Sequence, residues 1–348
     1  MQSGDYPFVS VIIPCRNEER FIGGCLDSIL GGDYPADRFE VVVVDGRSDD
    51  RTASILEEYA RRSPQVHVLD NPRRITPAAL NIALGAARGE LIARVDAHAV
   101  YPSYYLSRLV AALKETGADS VGGLIETCPA ADTAVARAIA VAMSHPLGVG
   151  NSHFRVGSPT RRTVDHVPFF CCRKEVFDRV GGFDEELVRN QDGEFSTRLI
   201  RQGGKIVLIP EVVSRYFARD SLTKLARMFF QYGYFKVLTT RKVGRVMTVR
   251  QVVPAAFILA LVITGLASLW LDLALIPFVG MLVAYAAVVL VFGMRTIGRI
   301  GLRSALVLCA AFPLMHFSYG FGSIRRAVEL LARRGATPVS PELVPLSR

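Results

Sequence analysis

The sequence predicts an α/β domain followed by apolar C-terminal helices. Residues 8–210 alternate short β-branched runs with helical patterns, which is typical of a mostly parallel sheet with helices on both faces. Three later runs contain no Asp, Glu, Lys or Arg, and each reaches the roughly 18 residues that a bilayer-spanning helix needs. These runs are Val253–Leu271, Leu273–Met294 and Ser304–Ile324. The 348 residues are enough for two units of about 150 residues each.

The strands and helices of the first part have readable signals. We predict six strands, each rich in β-branched residues: Phe8–Ile13, Glu40–Val44, Val66–Leu69, Glu90–Val95, Ser120–Ile125 and Lys205–Ile209. Capping residues predict helix starts at Asn17, at Ser48, at Thr76 with Pro77, and at Ser103. Residues 222–240 then place apolar side chains at helical spacing. This segment is either a helix in the membrane interface or an ordinary amphipathic helix packed on the domain.

The net charge of +9 is unevenly distributed along the chain. From Lys236 onward 13 Lys and Arg residues stand against three acids, so residues 1–235 carry −1. Cations between long apolar runs are typical of membrane-flanking positions and not of a nucleic-acid-binding face. We therefore divide the chain into an α/β domain (1–220), an amphipathic interfacial segment (221–250), a membrane region of two to three helices (251–326) and a basic, proline-containing tail (327–348).

The flanking cations also predict an orientation. Because no secretory signal pattern begins the sequence, we expect the α/β domain to be cytoplasmic. Three full spans would place Arg325, Arg326, Arg333 and Arg334 outside, against the positive-inside rule. One solution is that Ser304–Ile324 bends at Pro313 and re-enters without crossing.

The sequence disfavours two classes of nucleotide-binding site, and it disfavours zinc binding and disulfide formation by the cysteines. The first strand-to-helix turn carries neither the G-x-G-x-x-G of dinucleotide folds nor the G-K-[ST] of a P-loop. The six cysteines show no C-x-x-C spacing, and a reducing cytoplasm argues against disulfides. We interpret all six cysteines as structural or incidental.

Candidate functional side chains follow the predicted strands. Asp45 ends the second strand, where a carboxylate can accept from a base N–H or a ribose hydroxyl, or can simply cap the next helix. Asp96 and His98 follow the fourth strand and are two residues apart, so they can point the same way. An oxygen and an imidazole suit manganese, or magnesium with more water, although without further context a capping Asp beside a surface His is the simpler explanation. Asp192 precedes a helical stretch and is either a general base or an N-cap.

The order and spacing of the motifs resemble those of inverting glycosyltransferase family 2, which has the GT-A fold. The motifs are V-S-V-I-I-P-C-R-N-E-E at 9–19, V-V-D-G-R-S-D-D-R-T at 43–52, R-V-D-A-H-A at 94–99, G-G-F-D-E at 181–185 and N-Q-D at 190–192. The resemblance covers about residues 8–235. More narrowly, D-A-H-A-V-Y-P at 96–102, G-V-G-N-S at 148–152 and V-R-N-Q-D at 188–192 resemble a membrane-bound subgroup that extends exopolysaccharide chains.

The resemblance implies roles for individual residues. The donor nucleotide is expected on Pro14, Arg16, Asn17, Glu18 and Asp45, with Asp50 nearby and Asp96 at the diphosphate. Asp96 matches the first carboxylate of the family's D-x-D motif, which implies Mn²⁺ or Mg²⁺, but His98 stands where the second carboxylate is usual. Asp192 matches the catalytic base. Asn190, Gln191 and His166 are assigned to the acceptor region.

The resemblance also implies the reaction. We expect a hexose, glucose in the first instance, to pass from a UDP-sugar to a polyprenyl-diphosphate-linked glycan at the inner membrane of a bacterium, during exopolysaccharide assembly. The Q-x-x-R-W motif of polymer-extruding synthases is missing, since Gln231–Lys236 reads Q-Y-G-Y-F-K, so a single addition is expected. Transfer directly to a polyprenyl phosphate, or a non-catalytic scaffold that binds nucleotide sugars, are the alternatives. A nucleic-acid partner is not expected.

Overall fold

The structure is a computed structural model that describes residues 6–244 and 249–332. Its described residues form two compact units. The first comprises the chain up to Glu126 together with His153–Tyr216, and the second comprises Thr127–Ser152 and the chain from Phe217. Residues 127–152, which fall inside the 1–220 boundary expected from sequence, thus belong to the second unit. The tail beyond residue 332 lies outside the described residues.

A nine-stranded sheet, as far as the chain is described, organises the first unit. The strands are β1 (Val9–Cys15), β2 (Phe39–Asp45), β3 (Val66–Asp70), β4 (Leu91–Arg94), β5 (Ala99–Val100), β6 (Ser120–Cys128), β7 (Arg162–Thr163), β8 (Phe170–Arg173) and β9 (Ile206–Phe217). Their order is β3-β2-β1-β4-β8-β6-β9-β5, with β7 paired to β9. The strands β3, β2, β1 and β4 are parallel, whereas β8 runs antiparallel to both β4 and β6.

The α/β class is confirmed, but the antiparallel part of the sheet is larger than predicted. β8 was missed because its four residues, F-C-C-R, are too short for a periodic signal. β5 and β7 have two residues each and exist through pairing with β9, which the local sequence does not encode. β9 continues through Pro210 to Phe217, beyond its predicted end at Ile209.

Helices cover the sheet in the order that the sequence suggested. In the first unit they are α1 (Ile22–Leu30), α2 (Thr52–Arg62), α3 (Thr76–Ala86), α4 (Tyr105–Thr116), α7 (His153–Val156), α8 (Glu175–Val180) and α9 (Gln191–Arg201). The short helices α5 (Ala134–Ala142) and α6 (Pro146–Val149) belong to the second unit. α3 begins at the predicted Thr76. α1 begins later than predicted, because Asn17 adopts a left-handed φ of 53° and belongs to a loop.

The start of α9 is fixed by aromatic packing beneath it. Phe195 of α9 stacks on Phe177 with ring centroids 4.9 Å apart and on Phe170 of β8 at 5.7 Å. Phe183 joins them at 5.3 Å from Phe195. Aromatic rings at these separations contribute beyond their buried area, so α9 is held firmly against the sheet.

The second unit is helical. Its long helices are α10 (Leu222–Val243), α11 (Val253–Ala267), α12 (Leu275–Ile300) and α13 (Leu302–Ala332). Two segments of the described chain, Asp272–Ile300 and Leu302–Ala332, are long and apolar enough to cross a membrane, whereas α11 is shorter. α13 is a single helix that continues through Pro313. The predicted re-entrant turn at Pro313 is therefore wrong: helix continues on both sides of the proline, so the chain does not turn back there.

α13 packs closely against α10. A Cβ on Gly233 of α10 would collide with the Tyr319 carbonyl of α13, and one on Gly322 of α13 would collide with the Phe230 carbonyl of α10. At the end of the contact the Tyr234 hydroxyl donates to Glu329 at 2.6 Å, and buried Arg326 donates to that hydroxyl at 3.0 Å. This contact shows α10 as a helix packed on α13 within the second unit. A position in the membrane interface and packing on the α/β domain both stay predictions.

Candidate active site

Two loops at the carboxyl ends of β1 and β2 are tied together by hydrogen bonds. The Asn17 N–H donates to Ser48 Oγ at 2.9 Å, and the Glu18 N–H donates to Thr52 Oγ1 at 2.8 Å. Asp45 accepts from the Ser48 hydroxyl at 2.5 Å and from the Ser48 N–H at 3.1 Å. Asp45 therefore holds the loop that leads to α2, and these bonds do not reach the first turn of that helix, which follows Arg51. These contacts engage both carboxylate oxygens but leave the side chain only partly buried.

The other residues expected to bind the donor nucleotide lie in the same region. Asp50 accepts from the Thr52 N–H at 2.9 Å and the Glu19 N–H at 3.3 Å. Burial acts to raise the pKa of Asp50, but the hydrogen bonds from Thr52 and Glu19 lower it below its ordinary value. Arg16 lies against Gly46, where a Cβ would come within 3.2 Å of its side chain, and Pro14 is in register with Val44 in the sheet.

The segment after β4, which carries Asp96, is anchored by the buried side chain of Arg94. Arg94, 4% exposed, places Nη2 at 2.7 Å from Asp96 Oδ1 and also donates to the Pro168 carbonyl. Burial acts to lower the pKa of Arg94, but the carboxylates of Asp96 and Asp192 raise it above its ordinary value. The Asp96 N–H donates to the Tyr101 hydroxyl at 2.8 Å, which fixes the backbone of this turn.

His98 lies beside Glu18, not beside solvent. Its Nδ1 is 3.0 Å from Glu18 Oε1, and its ring meets Tyr216 edge to face at 5.0 Å. Both side chains are largely buried, with 16% and 7% exposure. The interpretation of His98 as a surface histidine is therefore wrong, and the β1 loop and the β4 turn meet at this pair.

The residues after β4 fit a metal ion only in part. Among the described residues no group of three or more His, Cys, Asp and Glu is arranged to hold a metal ion. Asp96 Oδ1 faces Arg94, and His98 Nδ1 faces Glu18; Oδ2 of Asp96 and Nε2 of His98 are the other atoms of these side chains that can ligate a metal. Two such donors fit an ion that takes its other ligands from a bound diphosphate and from water.

Asp192 lies in the first turn of α9 and is the most strongly perturbed acid of the site. The Gly193 N–H donates to its Oδ1 at 2.8 Å, and His166 Nε2 lies 3.5 Å from its Oδ2. Burial acts to raise the pKa of Asp192, but the charge and hydrogen bond of His166, the charge of Arg94 and the Gly193 N–H hold it well below its usual range. Asp192 therefore stays ionised at neutral and mildly acidic pH, ready to accept a proton.

The acceptor-region residues surround Asp192. Asn190 precedes α9 in a left-handed conformation with φ 66°, which lets the chain turn sharply into the helix. Gln191 is buried at the helix start. His166 approaches from the loop before β8, with Nδ1 at 3.0 Å from Ser196 Oγ. The structure thus brings His166 and Asp192 together, and Arg94 couples electrostatically to Asp192 and contacts Asp96.

Sequence reasoning missed three residues of this site. Arg94 stood in a quoted motif, but its role was not assigned, although a charged residue at the end of a buried strand is an available signal. Ser196 had no signal, since a serine inside a helix is ordinary. Tyr101, whose hydroxyl accepts from the Asp96 N–H, was visible only as part of an aromatic motif.

The fold and the site together define a class of protein. Carboxylates lie at the carboxyl ends of β2 and β4, where open α/β sheets bind nucleotides. An ionised Asp192 at the start of α9 shares Arg94 with Asp96. This combination is that of a GT-A enzyme that transfers a sugar from a nucleotide.

Comparisons with known proteins identify the family. The model of glycosyl transferase family 2 matches residues 10–181. The succinoglycan biosynthesis protein ExoA of Rhizobium meliloti (strain 1021) is 35% identical over 249 residues, 71% of this chain and 74% of that protein. The chain therefore belongs to glycosyltransferase family 2, and the resemblance inferred from its motifs is confirmed.

Two further relatives extend the comparison. The Methanococcus voltae dolichyl N-acetyl-alpha-D-glucosaminyl phosphate 3-beta-D-2,3-diacetamido-2,3-dideoxy-beta-D-glucuronosyltransferase is 28% identical over 74% of this chain and 82% of that protein. The mannosyltransferase PcManGT from Pyrobaculum calidifontis, solved in complex with GDP-Man and Mn2+, has a TM-score of 0.57 at 22% identity, over 93% of this chain and 88% of that one. This structural likeness confirms the GT-A fold.

Proposed function

We propose that the protein transfers a hexose from a UDP-sugar to a lipid-linked glycan with inversion at the anomeric carbon, and that Asp192 is the general base. The observation that carries this proposal is the ionised Asp192, coupled through buried Arg94 to Asp96 after β4. A single displacement needs charge neutralisation at the leaving group and a base at the incoming hydroxyl. Asp192 would serve as the base, and Asp96 would help hold a cation for the leaving group.

The reaction balances without a covalent enzyme intermediate. The acceptor oxygen forms a bond to the anomeric carbon, the bond to the diphosphate oxygen breaks, and Asp192 takes the hydroxyl proton. Asp96 and His98 would hold Mn²⁺ or Mg²⁺ against the diphosphate, and the ion would neutralise charge on the departing UDP. Glu18 orients His98 through Nδ1, and Asp45 keeps the β2 loop in place through Ser48.

The lipid-linked acceptor is supported by the relatives and by the helical unit. ExoA is named for succinoglycan biosynthesis, and the Methanococcus protein for a dolichyl phosphate-linked sugar. α12 exposes long apolar side chains, among them Ile276, Val283 and Met294, each more than half exposed. Such a surface suits lipid. Because Q-x-x-R-W is missing, we assign one sugar addition per acceptor.

We further propose that α11 and α12 enter the membrane as a hairpin while α13 stays on the cytoplasmic side. α13 contacts α5 through Ser304 and Arg137 at 3.4 Å, α6 through His316 and the Leu147 carbonyl at 2.8 Å, and α10 through Glu329 and Tyr234. α5 and α6 lie between two stretches of the sheet unit, and neither is long enough to cross a bilayer. α13 also contacts α12 through His316 and Tyr285 at 2.7 Å, and α11 where Gly320 meets the Pro254 carbonyl. We therefore place α13 at the cytoplasmic base of the hairpin, which also keeps Arg325 and Arg326 inside.

Turnover by an Asp192→Asn variant tests the proposal. The full chain in lipid nanodiscs would receive UDP-glucose, Mn²⁺ and a polyprenyl-linked lipid extract, and UDP release would be measured. We expect Asp192→Asn to lose about 10²- to 10⁴-fold in kcat with donor binding retained. The matched control is Asp37→Asn, an acid with 77% side-chain exposure outside the site, which should keep full activity.

The same assay separates the alternatives. An extended oligosaccharide lipid is the expected product, whereas a monosaccharide on polyprenyl phosphate would indicate the rival acceptor. Wild-type protein that binds donor without releasing UDP would support the scaffold. Undiminished turnover by Asp192→Asn would remove the assignment of the base.

A further inference from the structure

We propose that His166, held by Ser196, is a positioning residue that orients Asp192 and keeps it ionised for catalysis. This inference rests on the proposed function, since it assumes that Asp192 accepts the acceptor's proton. It assigns to His166 a role distinct from contact with the acceptor.

The three side chains form a chain of polar contacts on one side of α9. Ser196 Oγ lies 3.0 Å from His166 Nδ1, and His166 Nε2 lies 3.5 Å from Asp192 Oδ2. Ser196 is four residues after Asp192 on the same helix, so one turn of α9 presents both groups to the imidazole. Phe154 meets the imidazole edge to face at 5.8 Å and limits its rotation.

The protonation pattern follows from the partners. An ionised Asp192 accepts only, so His166 must carry a proton on Nε2 to bond it. The Ser196 hydroxyl can serve Nδ1 in either state of the ring, as a donor to the neutral imidazole or as an acceptor from the charged one. Both ring nitrogens are thus engaged by the protein, which is why His166 is better suited to orient the base than to take a proton from the acceptor.

The other groups at Asp192 cannot replace His166. Arg94 contributes its charge but bonds to Asp96 and the Pro168 carbonyl, and the Gly193 N–H binds Oδ1. His166 is the group within ion-pair distance of Oδ2. Without it, burial of Asp192 is less well compensated, so the carboxylate should hold a proton at higher pH and face the acceptor less consistently.

A matched pair of amide variants tests this role. In His166→Gln the amide nitrogen can reach the position of Nε2 and donate to Asp192, whereas in His166→Asn the amide reaches only the position of Nδ1. The readout is kcat in single turnovers after brief pH jumps to between about pH 2 and pH 8, a range that extends toward the low pKa of Asp192, together with donor KM and thermal unfolding. Ser196→Ala removes the hydroxyl that holds the imidazole.

We expect a shift in the acid limb of the pH profile, which is the range where kcat falls as Asp192 becomes protonated. His166→Asn should move it upward by roughly one pH unit or more, His166→Gln should restore much of the wild-type profile, and Ser196→Ala should shift it less. Donor KM and the unfolding temperature should change little. An equal loss at all pH values for Gln and Asn, or an unshifted limb in both, would overturn the inference.

Its failure is distinguishable from failure of the proposed function. If Asp192→Asn is inactive but the His166 variants keep the wild-type pH profile, only the positioning role is wrong. If Asp192→Asn turns over normally, the base itself is wrong.

Discussion

Arg94 is the residue that couples the electrostatics of the site. It is almost fully buried, contacts Asp96 directly and contributes to the low pKa of Asp192. A buried cation beside two carboxylates offsets part of the cost of burying charge in an apolar sheet.

Replacing Arg94 by Met should therefore damage both stability and activity. Asp96 would lose its partner, which should cost about 3 kcal/mol in the free energy of unfolding, at the low end for a broken buried pair because Asp96 is 19% exposed. Chemical denaturation measures this loss. Arg94→Lys keeps the charge and should retain more stability. Equal stability of Arg94→Met and wild type would contradict the pairing.

A second prediction at this scale concerns His98. If His98 holds the ion with Asp96, His98→Ala should raise the Mn²⁺ concentration for half-maximal activity, since one ligand is lost. Titration of UDP release with Mn²⁺ checks this. His67→Ala, which removes a histidine of β3 paired with Glu40, is the control and should leave the Mn²⁺ dependence unchanged. An unchanged Mn²⁺ dependence for His98→Ala would show that His98 is not a ligand.

Individual residues of the site were predictable to different degrees. Asp96, His98 and Asp192 could be singled out because polar residues after buried strands or before a helix have few structural reasons to be there. The residues that these side chains contact could not be identified in this way. Glu18 meets His98, and His166 meets Asp192, across 80 and 26 residues of sequence, as their numbering shows. Such pairs are set by the fold and not by local pattern.

At the scale of elements, close helix packing depends on glycines. Gly322 of α13 lies against the Phe230 carbonyl of α10, whereas Gly280 of α12 has no atom within 4 Å of where its Cβ would be. The two residues are otherwise comparable, since both lie inside apolar helices.

Gly322→Ala should accordingly destabilise the second unit while Gly280→Ala should not. Overpacking at Gly322 should cost about 1–3 kcal/mol, because the carbonyl of Phe230 is backbone and cannot rotate away. Thermal unfolding of the purified protein in detergent compares the two variants. Equal unfolding temperatures would mean that α10 and α13 are not in the contact described here.

The strands and helices were predicted well where the periodic pattern of apolar residues extends over a long segment. The six predicted strands all exist, and α3 and α4 start within two residues of their predicted caps. β5 and β7 could not be predicted, because two-residue strands are defined by their partner β9. The continuity of α13 through Pro313 could not be predicted either, since packing against α5, α6 and α10 overrides the local preference of proline.

At the scale of the whole molecule, charge and apolar surface divide the chain. Residues 1–235 carry −1 and hold the site's carboxylates, and the remainder carries +10 within long apolar helices. This division supports a membrane-associated transferase, and the contacts of α13 support α11 and α12 as the inserted pair.

Cysteine labelling from each side of the membrane tests that topology. Leu331→Cys, at the 81% exposed end of α13, should react only from the cytoplasmic side, and Trp270→Cys, 82% exposed after α11, only from outside. The unmodified chain is the background control, because five of its six cysteines are buried and Cys309 is partly so. Labelling of Leu331→Cys only from outside would mean that α13 crosses.

The anomeric configuration of the product tests the central claim most directly. A single displacement with Asp192 as base must invert the donor's configuration, so an α-linked UDP-hexose should give a β-linked product. Proton NMR of the glycan released from the lipid product reads this configuration from the coupling of the anomeric proton. A β-linked product would support the account, and an α-linked product would contradict it.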